Sequence, residues 1–171
     1  MLIPSNYYDG VDTLKWGYPW ITPESIYWLE TNITHEMSAI EFGCGGSTIF
    51  LSRFCKSVFT MDNNSQWVTN TRQAIFNLNI INVELEYVTS LEECLSFFNH
   101  KYDIAFIDCC DLNRYELVKH ARNQSNIIVV DNYDADYVGD TDALFNADWQ
   151  IFRYDDLHWV GRGTKIYQKI S

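Results

Sequence analysis

The sequence has no apolar run approaching the roughly 20 residues that a membrane-spanning helix needs. It has no cysteine pair at metal-ligand or redox spacing and no stripe of basic residues. Its 12 basic residues face 23 acidic ones, for a formal net charge of -11. The pairs Arg53 and Lys56, Lys119 and Arg122, and Arg162 and Lys165 are scattered along the chain. Such a field opposes a phosphate backbone or an anionic membrane, so a small-molecule partner is expected, with neither nucleic acid nor membrane. The cysteines Cys44, Cys55, Cys94, Cys109 and Cys110 are odd in number, and no secretion signal precedes them. Adjacent Cys109 and Cys110 lack the intervening residues of a CxxC motif, so all five read as core or near-core thiols in a reducing, cytoplasmic setting.

What is present is apolar: 47% hydrophobic and 16% aromatic residues among 171, enough for one domain over 1–171 that buries roughly 70% of its unfolded surface. The chain is organised around Ile40-Glu41-Phe42-Gly43-Cys44-Gly45-Gly46-Ser47-Thr48. An apolar strand enters this stretch, and Ile49, Phe50 and Phe54 mark a helix leaving it. A strand, glycine turn and helix start presents backbone N–H groups to a ligand. A plain tight turn after a core strand fits the same residues.

Residues 1–20 read as an extended aromatic lead-in, with Trp16, Tyr18 and Trp20 filling the core edge or flanking a pocket. Thr22 with Pro23 starts a helix carrying Ile26, Leu29 and Ile33. Ser57 to Met61 is a strand ending at Asp62, followed by a helix marked by Val68 and Ile75, with Trp67 and Phe76 as further candidates for its apolar face. Val83 to Val88 alternates as a strand, and Ser90 with Glu93 forms a capping box for the next helix. Tyr102 to Asp108 and Asn126 to Asp131 are apolar strands closing on carboxylates, separated by a helix capped at Asn113. Asp140 to Asn146 suggests a short helix. Trp149 to Tyr154 and Thr164 to Lys169 are joined too closely for a crossover and so predict an antiparallel pair. The alternation specifies a doubly wound α/β domain.

In such a sheet the ligand crevice lies beyond the carboxyl ends of the strands. Glu41, Asp62, Asp108 and Asp131 sit at four such ends, beside Gly43 to Ser47. Asp62, roughly 20 residues beyond the first glycine, is placed to accept both hydroxyls of a ribose. A dinucleotide fingerprint would put its last glycine at Thr48, which argues against a nicotinamide-dependent oxidoreductase, and no Gly-Lys-Ser/Thr follows the turn to make a phosphate loop.

Glu41-Phe42-Gly43-Cys44-Gly45-Gly46-Ser47, Thr60-Met61-Asp62, Tyr102 to Asp108 and Val129-Val130-Asp131-Asn132 resemble, in order, the motifs of class I S-adenosylmethionine-dependent methyltransferases. The resemblance implies a Rossmann-like, mostly parallel seven-stranded sheet with an antiparallel C-terminal strand. It implies S-adenosylmethionine as cofactor, held by Glu41, Gly43, Gly45, Ser47, Asp62 and Asp108. Methyl transfer would go to an oxygen or nitrogen of a small molecule or sugar, with Asp108, Asp131 and His158 as candidate bases. A non-catalytic binding or assembly module on the same fold is the alternative. The segment from Trp16 to Pro23, with the glycine turn and Trp67, looks like a group of bacterial and phage methyltransferase-like domains. The later motifs are similar to the catechol-type O-methyltransferases, in which Asp108, Asp131 and Asn132 would align with ligands of a divalent metal. Asp111 stands where that branch has lysine and the family tyrosine is displaced to Tyr115, so a metal is not expected.

Overall fold

The computed structural model describes residues 12–109, 112–155 and 163–170. Its seven strands are β1 (Ser38–Phe42), β2 (Ser57–Asp62), β3 (Val83–Tyr87), β4 (Ile104–Ile107), β5 (Ile127–Asp131), β6 (Trp149–Tyr154) and β7 (Thr164–Lys169). They form one sheet in the order β3-β2-β1-β4-β5-β7-β6. Neighbours among β1 to β5 run parallel, whereas β7 lies antiparallel between β5 and β6, as the short connection requires.

Strand order reverses between β1 and β4, which makes their carboxyl ends the topological switch point where such sheets open a crevice. Both β4 and β5 are buried throughout because the sheet is covered on both faces. Alternate residues separate cleanly: Ala105 and Ile107 join Phe42, Leu117 and Val118 on one side, while Ile104 and Phe106 join Leu29, Phe50 and Leu51 on the other.

The helices are α1 (Thr13–Trp16), α2 (Pro23–Asn32), α3 (Gly46–Phe54), α4 (Ser65–Asn77), α5 (Leu91–Ser96) and α6 (Arg114–Gln124). Side chains of Asn64, Ser90 and Asn113 cap α4, α5 and α6 by accepting first-turn N–H groups. The capping box at α5 is displaced by one residue: Glu93 accepts from the N–H of Thr89 at 2.7 Å rather than from Ser90. Thr22 makes no side-chain cap, and its hydroxyl donates to Ser25 instead.

Three expectations need correction. The lead-in is not extended throughout, because Asp12 caps the short helix α1. Phe76 and Trp67 do not join the core face of α4: Phe76 is 76% exposed and Trp67 43%, while Val68 and Thr71 turn inward. The short helix expected over 140–146 is a 3-10 turn at Thr141–Leu144.

Among the aromatics of the lead-in, Tyr18 is buried against Phe50, and Trp16 and Trp20 remain partly exposed. The lead-in also closes over the start of α3. A Cβ on Gly46 would stand 2.1 Å from the Tyr18 carbonyl oxygen and 2.6 Å from that of Thr13. Gly46→Ala is therefore expected to destabilise the fold by about 1–3 kcal/mol through overpacking, read from the midpoint of urea unfolding.

Candidate functional site

A crevice of about 360 Å³ opens above the carboxyl ends of β1, β2, β4 and β5. It is lined by Gly43 to Ser47, Asp62, Asn64, Trp67, Asp108, Arg114, Asp131, Asn132, Tyr137 and Trp20. The size lies within the range of small-molecule sites.

The glycine turn is shaped by three different demands for space. Gly43 adopts φ +105°, and a Cβ there would lie 2.6 Å from the Asp108 carbonyl oxygen. Its missing side chain thus admits the end of β4. Gly46 admits the lead-in, as above. Gly45 faces open space, its nearest prospective neighbour being the Trp67 ring at 3.9 Å. The slot between Gly45 and Trp67 leaves bare backbone open to the cavity.

Beneath the turn lies Glu41, fully buried. Its Oε2 accepts hydroxyl hydrogen bonds from Thr48 at 2.5 Å and Thr60 at 2.6 Å. The Thr48 oxygen in turn accepts the Gly45 N–H at 2.9 Å. Glu41 Oε1 is buried with no hydrogen-bond partner. Burial pushes this carboxyl up to about 7, against the opposing pull of the Ser47, Thr48 and Thr60 hydroxyls. Glu41 therefore holds the turn from below and does not line the crevice.

Asp62 faces the turn directly. Its Oδ2 accepts the Cys44 N–H at 2.9 Å and its Oδ1 accepts the Asn64 N–H at 2.7 Å. These two backbone bonds engage one lone pair on each oxygen. Burial raises its pKa, and the backbone donors Asn64 and Cys44 oppose that rise.

Across the switch point, Asp108 and Asp131 meet over Arg114, the first residue of α6. Arg114 is 1% exposed. Its Nε donates to the Cys109 carbonyl at 2.7 Å, its Nη1 to the Asp131 carbonyl, and its Nη2 lies 3.3 Å from Asp108 Oδ1. Asp131 Oδ1 accepts the Thr164 hydroxyl at 3.1 Å. Asp108 is pushed up to about 6 by burial, against the pull of Arg114. Asp131 is raised as well, by burial and by the charge of Asp108. Burial and the neighbouring carboxyl thus both favour the protonated form of Asp131.

The structure thus brings Gly43, Gly45, Ser47, Asp62, Asp108 and Asp131 to one cavity and keeps Glu41 behind it. His158 and Asp111 lie outside the described residues. Sequence reasoning missed Arg114, Thr60 and Tyr137. An asparagine cap marks the start of α6, but nothing in the sequence turns the next side chain inward. Cys44, Cys55, Cys94 and Cys109 are buried free thiols. Burial raises the pKa of all four, to about 12 for Cys55 and Cys109. Among the described residues no group of three His, Cys, Asp or Glu side chains could hold a metal ion, and no helix is long and apolar enough to cross a membrane.

No protein-family model and no curated protein matches the sequence. Solved structures do match. The O-methyltransferase from Bacillus cereus in complex with S-adenosylhomocysteine is similar at TM-score 0.74 and 18% identity, covering 99% of this chain and 93% of that one. TomG from Streptomyces achromogenes, an O-methyltransferase of tomaymycin synthesis in complex with S-adenosylmethionine, gives 0.69 and 14%, covering 95% and 91%. An rRNA methylase from Streptococcus thermophilus gives 0.65 and 18%, covering 86% and 95%. At these identities the likeness is one of fold: the chain has the Rossmann-like fold of class I methyltransferases.

Glu41 carries a testable cost. Its folded pKa of about 7 lies above the ordinary 4.5, so the folded chain binds more protons between those values and stability falls as pH rises through that window. At about 1.4 kcal/mol per pH unit the effect is about 3 kcal/mol. Glu41→Gln is expected to lose less unfolding free energy than the parent between pH 5 and 8, by that order, in paired urea titrations.

Proposed function

We propose that the chain transfers a methyl group from S-adenosylmethionine to an oxygen or nitrogen of a small molecule. The observation that carries this reading is the Asp62 carboxylate set against the glycine turn, its oxygens anchored by the Cys44 and Asn64 N–H groups at the mouth of a lined cavity. Fold likeness to enzymes holding the cofactor or its demethylated form adds support.

The residues fit the cofactor. Asp62 would accept the ribose hydroxyls through its free lone pairs, and the bare backbone of Gly45 opposite Trp67 leaves room for the adenosyl group. When bound, the cofactor supplies a sulfonium methyl for in-line displacement by the acceptor atom. Asp108, with Asp131 beside it, lines the same cavity, and its ionised form would take the acceptor's proton, since a carboxylate of raised pKa is a better base than an ordinary one. Trp20 and Tyr137 line the same cavity and would border the acceptor's approach.

An open, lined cavity is what a working cofactor site needs and a degenerate binding module does not. A nicotinamide site is disfavoured by Thr48, whose hydroxyl is tied to Glu41 and the Gly45 N–H where a third glycine would stand. The net charge of -11 favours a small molecule over RNA despite the rRNA methylase among the fold's relatives.

Isothermal titration with S-adenosylhomocysteine tests the reading. The parent chain is expected to bind one equivalent, and Asp62→Asn to bind about 10- to 100-fold more weakly with its circular dichroism unchanged, as expected for charged hydrogen bonds worth about 1.5–3 kcal/mol. Absence of binding by the parent chain overturns it.

A further inference from the structure

The catechol-type resemblance implies a divalent metal between Asp108, Asp131 and Asn132, and the geometry disagrees with that implication. A hard divalent cation takes six or more oxygen ligands and needs its carboxylates unprotonated and free to converge on it. Here Asp108 Oδ1 is engaged by Arg114 Nη2, and Asp131 Oδ1 accepts from Thr164. The Asp131 carbonyl, another hard oxygen at that rim, already accepts from Arg114 Nη1.

We propose that the buried guanidinium of Arg114 is the resident cation of this crevice, standing in for the divalent metal that the strand-end acids would otherwise hold. Three features carry the assignment. Arg114 is fixed at three points, by the Cys109 carbonyl, the Asp131 carbonyl and the Asp108 carboxylate, so it is built into the rim. A guanidinium stays charged in proteins, so a positive charge is permanently buried beside the acid pair. Among the described residues it is the one basic side chain lining the cavity, and the Tyr137 ring covers it at 5.7 Å. A dication bridging Asp108 and Asp131 would be held within a few ångströms of that fixed charge, where the two cations repel strongly in a desolvated site.

The role follows from position. Arg114 is a positioning residue: it ties the end of β4 to the end of β5 and offsets the charge of Asp108. The assignment concerns the same crevice as the proposed methyl transfer but does not require the cofactor to bind, so the two can fail separately.

Manganese(II) titration followed by electron paramagnetic resonance tests it on the full chain, without cofactor. The parent chain is expected to leave the aqueous manganese signal undiminished at millimolar metal. Arg114→Ala, which removes the fixed charge and frees the Asp108 carboxylate and the Asp131 carbonyl oxygen, is expected to bind one manganese ion at least tenfold more tightly than the parent, and Arg114→Ala with Asp131→Asn to lose that binding. Stoichiometric binding by the parent chain that disappears in Asp131→Asn overturns the proposal, and so does a folded Arg114→Ala that gains no affinity. Should Arg114→Ala fail to fold, the parent titration decides alone: a free manganese signal supports the assignment and a bound one lost in Asp131→Asn ends it.

Discussion

The hydrogen bond from the Thr48 hydroxyl to Glu41 is the constraint on which the crevice depends. A carboxylate at the end of a central strand has no access to water, so it must find donors within the fold. It finds one on α3 and one on β2, at Thr48 and Thr60. Because the Thr48 oxygen also accepts the Gly45 N–H, the chain of bonds runs from β1 through α3 into the turn. The turn is therefore held by a buried network rather than by its own local preferences, and such a network is costly to leave half satisfied.

Arg114 does on the other side of the switch point what Glu41 does on this side. One buried charged group joins β1, β2 and α3, and the other joins β4, β5 and α6. The two strands that meet at the reversal of order, β1 and β4, are pressed together where the Asp108 N–H donates to the Phe42 carbonyl at 2.8 Å, while the Gly43 N–H ties the turn to Met61 of β2. No side chain fits between them, which is why the residue at 43 lacks one. The two staples hold the floor of the crevice, and the exposed rings of Trp20, Trp67 and Tyr137 line it. Under the proposed function, cofactor recognition would fall on the strand ends and acceptor recognition on the looser elements, a division common to sites on rigid scaffolds.

The sheet was legible because its signals are local. β6 and β7 fall where the patterning placed them, and the antiparallel finish follows from a connection too short to cross over. Asp62 was legible because a strand end and a distance from the glycines suffice to place it. Glu41 was legible as an acid at a strand end but not as one shut behind the cavity, since depth is set by Thr48 and Thr60, which approach from two other elements. Arg114 was illegible for the same reason: its three acceptors come from residues 108, 109 and 131, and only the folded sheet brings them together. Trp67 misled in the opposite direction. Its size suggested the core, but the Asn64 cap fixes the start of α4 so that the ring lands at the mouth of the crevice.

The charge of the chain and the charge of its crevice are separate matters. A net charge of -11 acts over the whole surface and is screened within about 10 Å at ordinary ionic strength. The crevice acts at contact. There Asp62, Asp108 and Asp131 all have raised pKa values, so the fold draws protons toward acids that would otherwise repel one another. Arg114 lowers that repulsion without removing it, because one fixed positive charge faces two carboxyls at its end of the cavity. The remaining imbalance favours a ligand that brings positive charge or hydroxyl donors. A sulfonium attached to a ribose brings both, and the same imbalance disfavours a polyphosphate at the same rim. The electrostatics of three strand ends thus support the proposed cofactor, even where the sequence of glycines leaves it open.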